Sequence, residues 1–321
     1  MPAGTPLNEL TDSECDYLDI FGVTYDGAFG WDVTRALELA FFHAFAAPAI
    51  SELLDRTGEF ARDGQKRYDD TVALLREIAR EGPASPRGRS AIRRLNWIHR
   101  RYDIGNDDLV YVLATFVVLP VRWISRYGWR DLTEVEVRAA VNYYRDVGRL
   151  MGIRGVPVTY AGFAGYLDAY ESAHHCFREA NRRLAVSLIE VFEAWFPRAV
   201  RPLVSRCIAA ALGRPVRRAL GLPEPSALVR AGAHAALRTR AVLMRLCPPL
   251  RTRRTGPRRL RSYPRGYALS DLGPAWATGN VPGRRNAAAG EEEERRPLTC
   301  PLPFCRISAT IPIRRYFRIT G

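Results

Sequence analysis

Residues 94–129 read RLNWIHRRYDIGNDDLVYVLATFVVLPVRWISRYGW and indicate two helices, separated by a break at Gly105. In the first helix, residues three and four apart share a face, so Asn96 and His99 lie together on the apolar side, away from most of the arginines. The second helix begins with two acidic residues and is apolar on nearly every side, as in a helix at the centre of a protein. This segment therefore predicts an all-α fold built around a buried helix.

Local signals place further helices on both sides of this segment. Ser85 precedes Pro86 in the pattern of an N-cap followed by a first helical residue, and Thr133 with Glu136 forms a capping box. Pro120 is expected to kink or end the central helix, because proline lacks a backbone N–H. Other helical patterns cover residues 34–50, stopping near the proline at 48, and 67–82, 133–152, 159–179, 181–196, 198–212 and 225–246.

Composition limits the class of protein. The 321 residues are enough for one large domain or at most two, and 47% of them are hydrophobic, as in a globular protein. The net charge of +14 comes from arginine, because Lys66 is the only lysine, and it is concentrated after residue 200. Six scattered cysteines without a CxxC pair argue against a secreted disulfide scaffold. Nucleophile elbows, Walker loops and dinucleotide-binding glycine motifs are missing from the sequence, which gives no support to those three chemistries.

The chain divides into three parts. Residues 1–30 are expected to form an N-terminal arm, residues 31–274 an α-helical domain, and residues 275–321 a low-complexity or weakly ordered tail rich in glycine and proline. The N-terminus does not resemble a signal peptide, and the longest apolar stretch, 109–121, is shorter than the roughly 20 residues that cross a bilayer. We expect a cytoplasmic protein, with peripheral membrane contact as an open alternative.

Two interpretations of His99 are open from the residues alone. It is either a hydrogen-bonded core residue or a ligand, and the five histidines show no zinc-binding spacing. A single imidazole in an apolar, helix-lined cavity is sufficient to hold haem iron, so the sequence permits a haem site without requiring one. His174 shares a predicted face with Glu171 and is a candidate for a supporting polar role.

The stretch KRYDDT, residues 66–71, contains a second candidate cluster. Arg67, Asp70 and Thr71 share a helix face, since they are three and four residues apart. This face is either a solvated charged surface or a polar group directed into a cavity. In the second case Arg67 would pair with Asp70, and Thr71 would donate a hydrogen bond to a bound oxygen species.

Four stretches carry a family resemblance: KRYDDT (66–71), SPRGRSAIRRLNWIHRRYDIGNDDLVYVLATFVVLPVRWISRYGWRDLTEVE (85–136), VGRLMGI (147–153) and SYPRGYALSDLGP (262–274). In order and spacing, from about residue 31 to residue 274, they resemble the MpaB-type oxygenase family. That family shares a catalytic domain with the bacterial rubber oxygenase known as latex clearing protein. The resemblance implies an all-α, globin-like bundle that encloses a b-type haem.

The resemblance also assigns roles to individual residues. His99 takes the place of the helical histidine that holds the iron. Asn96 is a further candidate cofactor contact because helical spacing places it on the same face as His99, and not because of the resemblance. Arg67, Asp70 and Thr71 match the distal arginine-x-x-lysine-threonine pattern of rubber oxygenases. Asp70 stands where those enzymes have lysine, so the distal chemistry must differ here.

Rubber oxygenases also use a carboxylate upstream of this pattern, and Glu52, Asp55 and Glu59 all lie in the corresponding region. Fungal members are membrane-associated and cleave a prenyl side chain oxidatively. The resemblance therefore implies a haem-b-dependent oxygenase that uses O2 to oxidise or cleave a C=C bond of an apolar, isoprenoid-like substrate. Phe116, Val117 and Trp123 are expected to line the substrate cavity.

The alternative function is not enzymatic. The basic segment RTRRTGPRRLRSYPRGY, residues 251–267, could attach a helical protein to anionic lipid or nucleic acid through salt-dependent attraction. No motif for specific nucleic-acid recognition accompanies these arginines.

Overall fold

The computed structural model describes residues 17–246 and 260–278, and this part of the chain contains helices but no strand. The all-α fold class predicted from the sequence is therefore confirmed. The α-helices are α1 (Tyr17–Phe21), α2 (Gly30–Phe45), α3 (Pro48–Thr57), α4 (Glu59–Glu81), α5 (Pro86–His99), α6 (Asn106–Tyr127), α7 (Glu134–Met151), α8 (Tyr160–His174), α9 (Glu179–Glu193), α10 (Arg201–Ala211), α11 (Arg214–Ala219) and α12 (Ala227–Leu246).

Helix α6 is the central element, and it packs against α2, α7 and α8. By length and composition alone it could cross a membrane, yet most of its apolar surface is buried inside the fold. Pro120 was expected to kink or end this helix, and it does not end it, since α6 continues to Tyr127. One proline removes a single backbone hydrogen bond of the helix, and the other hydrogen bonds of this 22-residue helix are available to continue it.

The predicted caps set where the flanking helices begin. The Ser85 hydroxyl accepts a hydrogen bond from the Gly88 amide at 2.9 Å, and Pro86 occupies the first turn of α5. A β-carbon on Gly88 would lie 2.2 Å from the Gly82 carbonyl oxygen, so this approach requires glycine. The start of α5 is thereby fixed, and with it the position of His99 at the end of the helix.

The described part of the predicted N-terminal arm packs onto the bundle. Helix α1 is followed by a π-helical segment, Gly22–Ala28, and both contain buried residues. The ring of Phe21 stacks on Tyr143 at 3.9 Å, and the Thr24 hydroxyl donates to Glu136 at 3.1 Å. Residues 1–16 of the predicted arm and residues 279–321 of the predicted tail lie outside the described residues.

Residues 260–278, called the strap below, cross helices α4 and α5. Asp69 of α4 accepts a hydrogen bond from the Ser262 amide at 2.8 Å. Arg94 of α5 donates to three strap carbonyls, those of Ser270, Leu272 and Ala277, at 2.8–3.0 Å. The strap is therefore fastened to the helices that carry the candidate site residues.

Candidate functional site

A cavity of about 640 Å³ lies inside the bundle, within the range of roughly 300–1,000 Å³ typical of small-molecule sites. Helices α2, α4, α5, α6 and α7 all contribute side chains to it, and the strap contributes Leu260, Gly273 and Pro274. Much of the wall is aromatic or aliphatic, including Phe41, Phe45, Leu95 and Phe116. An apolar molecule would therefore find apolar contacts over most of its surface.

His99 lines this cavity, and it is the one histidine among the described lining residues. Its ring has no side-chain hydrogen bond to any residue in the described ranges, so the description of a satisfied core histidine does not fit. Burial, together with the positive charge of Arg67, lowers the pKa of His99 to about 4. At neutral pH the imidazole is uncharged and has a nitrogen lone pair available to a ligand-binding partner.

The low pKa of His99 predicts a pH effect on stability. Between pH 4 and pH 6.5 the unfolded chain binds a proton at His99 that the folded chain does not, so stability falls as the pH is lowered through this window. We expect His99 to contribute up to about 2 kcal/mol of the decrease in unfolding free energy between pH 7 and pH 5.

Urea denaturation of the protein without added ligand, at both pH values, measures this contribution. In His99→Leu the pH-dependent loss should shrink by that amount, whereas His174→Leu, a change at an exposed histidine, should leave it unaltered. An unchanged pH dependence in His99→Leu would contradict the assignment of a neutral, buried imidazole.

Arg67 and Thr71 line the same cavity as His99. The Arg67 guanidinium donates to the Thr71 hydroxyl at 2.6 Å and lies over the Phe60 ring, 5.6 Å from its centroid. Burial lowers the pKa of Arg67, partly offset by nearby Asp70 and Glu59. Asp70 lines the cavity as well, so the structure brings all three predicted residues of this cluster together with His99 around one space.

Asp70 does not pair with Arg67, in contrast to the pairing considered from the sequence. Its carboxylate accepts a hydrogen bond from the Lys66 ammonium at 2.8 Å, and Lys66 also donates to the Gly273 carbonyl at 2.8 Å. The Tyr263 hydroxyl donates to the other carboxylate oxygen of Asp70. Asp70 is almost fully buried, and its charge is therefore used to fasten the strap to α4.

The structure distinguishes the three upstream carboxylates. Glu52 is 3.8 Å from the Arg178 guanidinium, and Asp55 is bonded to Arg183 at 2.6 Å; neither residue lines the cavity. Glu59 does line it. The Arg62 guanidinium holds the Glu59 carboxylate at 2.5 Å, which fixes the position of that carboxylate.

Other predicted site residues lie elsewhere. The Asn96 amide donates to the Leu150 carbonyl at 3.1 Å, so Asn96 joins α5 to α7 and does not line the cavity. Of the three residues expected around the substrate, Phe116 lines the cavity. Val117 is buried in the core, and the Trp123 indole donates to Asp32 at 3.1 Å.

Sequence reasoning missed a second polar cluster, between α2, α6 and α8. His43 and Glu171 are bonded at 2.6 Å, and the Tyr111 hydroxyl is 2.9 Å from Nε2 of His175. Burial lowers the pKa of His175 to about 4, while the neighbouring His174 is exposed. The inward-facing histidine of the pair is thus His175, which follows the last residue of α8, where helical spacing no longer predicts the direction of a side chain.

No group of three or more His, Cys, Asp or Glu side chains that could hold a metal ion occurs within residues 17–246 and 260–278.

Comparison with known proteins gives consistent matches over the helical region. A family model described as ER-bound oxygenase mpaB/B′/Rubber oxygenase, catalytic domain, matches residues 27–246. The ER-bound oxygenase mpaB′ of Penicillium brevicompactum is 29% identical over 232 residues, which cover 66% of this chain and 55% of that protein. The ER-bound oxygenase mpaB of Penicillium roqueforti (strain FM164) is 31% identical over 173 residues, or 52% of this chain and 57% of that protein. The chain thus matches little more than half the length of these relatives.

Proposed function

Because the chain belongs to the family of mpaB/B′ oxygenases and rubber oxygenase catalytic domains, we propose that it is a haem-b-dependent oxygenase. One observation carries this proposal: within the matched region, the neutral imidazole of His99 faces a largely apolar cavity without a side-chain hydrogen bond to a described residue. We further propose that the helical bundle encloses the haem in a globin-like way. We also propose that the catalytic domain extends to residue 274, since the strap contributes to the wall of the cavity.

The residues present fit a haem. One protein imidazole in an apolar, helix-lined cavity is sufficient to hold haem iron. His99 would provide that imidazole, and the aromatic and aliphatic wall would contact the porphyrin. When bound, the haem would supply the activation of O2, which amino-acid side chains do not perform alone.

The chain's own residues would stabilise charge that develops on oxygen, transfer a proton and orient the substrate. Arg67 and Thr71 present a cation and a hydroxyl to the cavity, where they would stabilise negative charge that develops on oxygen during the reaction. Glu59 would accept or deliver a proton at its carboxylate. Leu95 and Phe116 would exclude water and orient an apolar, unsaturated, isoprenoid-like substrate whose C=C bond is oxidised or cleaved.

The first test is a titration of the cofactor-free protein with haemin. We expect a Soret band that saturates at one haem per chain, followed by O2 uptake when a reductant and acyclic isoprenoid alkenes are supplied. Absence of a saturable Soret band in folded protein would refute the haem-dependent function.

Glu59 gives a prediction for the reaction itself. Glu59→Gln should lower the turnover rate by roughly 100-fold or more, the usual effect of losing a positioned acid or base. Glu52→Gln is the matched control, because Glu52 lies on the same part of the chain but outside the cavity lining. O2 uptake and product formation measure both variants, and equal rates would remove Glu59 from the mechanism.

The non-enzymatic alternative is not favoured, since the curated relatives are named oxygenases. Residues 251–259 of the basic segment lie outside the described residues. The rest of that segment forms the beginning of the strap, where Leu260 lines the cavity and the Ser262 amide donates a hydrogen bond to Asp69.

A further inference from the structure

Three tyrosines of the cavity wall surround the ring of Phe21. Tyr25 lies in the π-helical segment after α1, and Tyr143 and Tyr144 lie on α7. Phe21 stacks on the rings of Tyr25 and Tyr143, with centroids 4.7 and 3.9 Å apart, and packs edge-to-face with Tyr144 at 5.9 Å. All three tyrosines are buried and line the cavity, so this stacking fixes three phenol groups on one part of its wall.

The hydroxyl groups of these tyrosines have no hydrogen-bond partners among the described residues. The Tyr25 hydroxyl is enclosed by the protein and makes no hydrogen bond. Neither Tyr143 nor Tyr144 donates a hydrogen bond to any residue in the described ranges. A buried tyrosine hydroxyl normally has a partner, because leaving it without one costs free energy. Three such hydroxyls on one cavity wall therefore indicate that a ligand supplies the acceptor.

The charge near these phenols selects the kind of acceptor. Burial raises the pKa of all three tyrosines, and the Asp26 carboxylate raises the pKa of Tyr143 and Tyr144 further. The hydroxyls therefore remain protonated at neutral pH, and each can donate a hydrogen bond. The Asp26 carboxylate would repel a ligand carboxylate, whereas a neutral carbonyl oxygen accepts hydrogen bonds without that repulsion.

The phenols lie at a distance from His99 along α7. The Asn96 amide on α5 donates to the Leu150 carbonyl on α7, and His99 follows Asn96 by about one helical turn. The end of α7 therefore lies beside the segment of α5 that carries His99. Tyr144 precedes Leu150 by six residues, which corresponds to about 9 Å along the helix axis. A ligand held by the phenols can thus extend toward His99 through the same cavity.

We propose that Tyr25, Tyr143 and Tyr144 form a subsite that binds the carbonyl oxygen of a neutral, unsaturated ketone or aldehyde. The hydroxyls donate hydrogen bonds to that oxygen, which has two lone pairs and can accept from two of them at once. The apolar remainder of the ligand lies along the cavity toward His99. This inference names the substrate class of the proposed function and rests on that function for the reaction, while binding at the phenols is measured without turnover.

Tyrosine-to-phenylalanine substitutions test the subsite, because they remove only the hydroxyl. Isothermal titration calorimetry of the full chain compares geranylacetone, an unsaturated isoprenoid ketone, with the hydrocarbon in which CH2 replaces the carbonyl. The triple variant Tyr25→Phe, Tyr143→Phe, Tyr144→Phe should bind the ketone at least about tenfold more weakly and the hydrocarbon as the wild type does, since it loses only hydrogen bonds to oxygen. Tyr166→Phe is the control, because Tyr166 donates to the Asp107 carbonyl and does not line the cavity.

Thermal unfolding of the ligand-free variant provides a second readout. Since the three hydroxyls have no described partners, removing them should leave the unfolding temperature unchanged or raise it. A lower unfolding temperature would overturn the proposal, because it would show that the hydroxyls make stabilising bonds within the protein.

Four binding results would also overturn the proposal. Absence of ketone binding by the wild type would remove the ligand class, and undiminished ketone binding by the triple variant would mean that the hydroxyls do not contact the carbonyl. Equal weakening of ketone and hydrocarbon binding would mean that the substitutions alter the shape of the cavity. Tighter binding of a carboxylic acid of the same chain than of the ketone would mean that the subsite prefers an anion.

The Soret titration of the same preparations keeps the two proposals apart. Selective ketone binding without a saturable Soret band supports the subsite and refutes the haem-dependent function. A saturable Soret band in a protein that does not bind the ketone selectively overturns the subsite and leaves the haem-dependent function supported.

Discussion

Replacing His99 with alanine is expected to abolish the Soret band of the haemin-loaded protein. No other histidine among the described residues lines the cavity, so no second imidazole can take its place there. Loss of residues that merely support a metal ligand costs about 10–100-fold in affinity, and loss of the ligand itself should weaken haem binding by more than about 100-fold. Absorption spectra during haemin titration measure the effect.

Two comparisons make this result specific. His174→Ala changes an exposed histidine and should bind haemin like the wild type. Free imidazole added to His99→Ala should restore part of the band, because the substitution leaves space for a small ligand at the same position. A variant that keeps the wild-type spectrum without added imidazole would show that His99 does not hold the haem.

The second large effect is expected at Asp70, where rubber oxygenases carry lysine. Asp70→Lys would place a second ammonium beside Lys66, one helical turn away, and remove the acceptor for Tyr263. Loss of one partner of a buried ion pair costs about 3–5 kcal/mol, so the free energy of unfolding should fall by about that amount. Urea denaturation measures the change, and protease cleavage at Arg261 and Arg265 reports release of the strap.

A charge exchange separates the ion pair from other effects of the substitution. Lys66→Asp combined with Asp70→Lys restores opposite charges at the same spacing and should recover much of the lost stability. Asp70→Asn, which keeps the size of the side chain, should cost only about 1–3 kcal/mol. If Asp70→Lys is as stable as the wild type, Asp70 does not fasten the strap.

The sequence predicted best those helix ends that are determined by residues close together in the chain. Ser85 and the Thr133–Glu136 capping box mark their helices because a cap involves residues within one turn of each other. Helix α1 was missed because it has only five residues and continues into a π-helical segment. Its stability comes from packing on α7, which lies more than 100 residues later in the chain.

The same distinction applies to the candidate site. Helical spacing predicted that His99 faces inward, and in the structure His99 lines the cavity. Spacing could not give the partner of Asp70, because Tyr263 lies 193 residues away and Lys66 and Arg67 are both within one turn of Asp70. Nor could it choose Glu59 over Asp55, since that choice depends on Arg183 of α9 holding Asp55 outside the cavity.

The strap has a consequence for the order in which this protein is made. Its residues are synthesised after the twelve α-helices of the described chain, so Asp69 and Asp70 on α4 lack their hydrogen-bond partners Ser262 and Tyr263 until then. Until the ribosome has released that part of the chain, the pocket lacks one wall. A ligand that arrives during translation meets a cavity without the strap, whereas one that arrives after folding meets a cavity that Leu260, Gly273 and Pro274 already line. For the proposed haem, the timing of its supply relative to translation should therefore affect the yield of loaded protein.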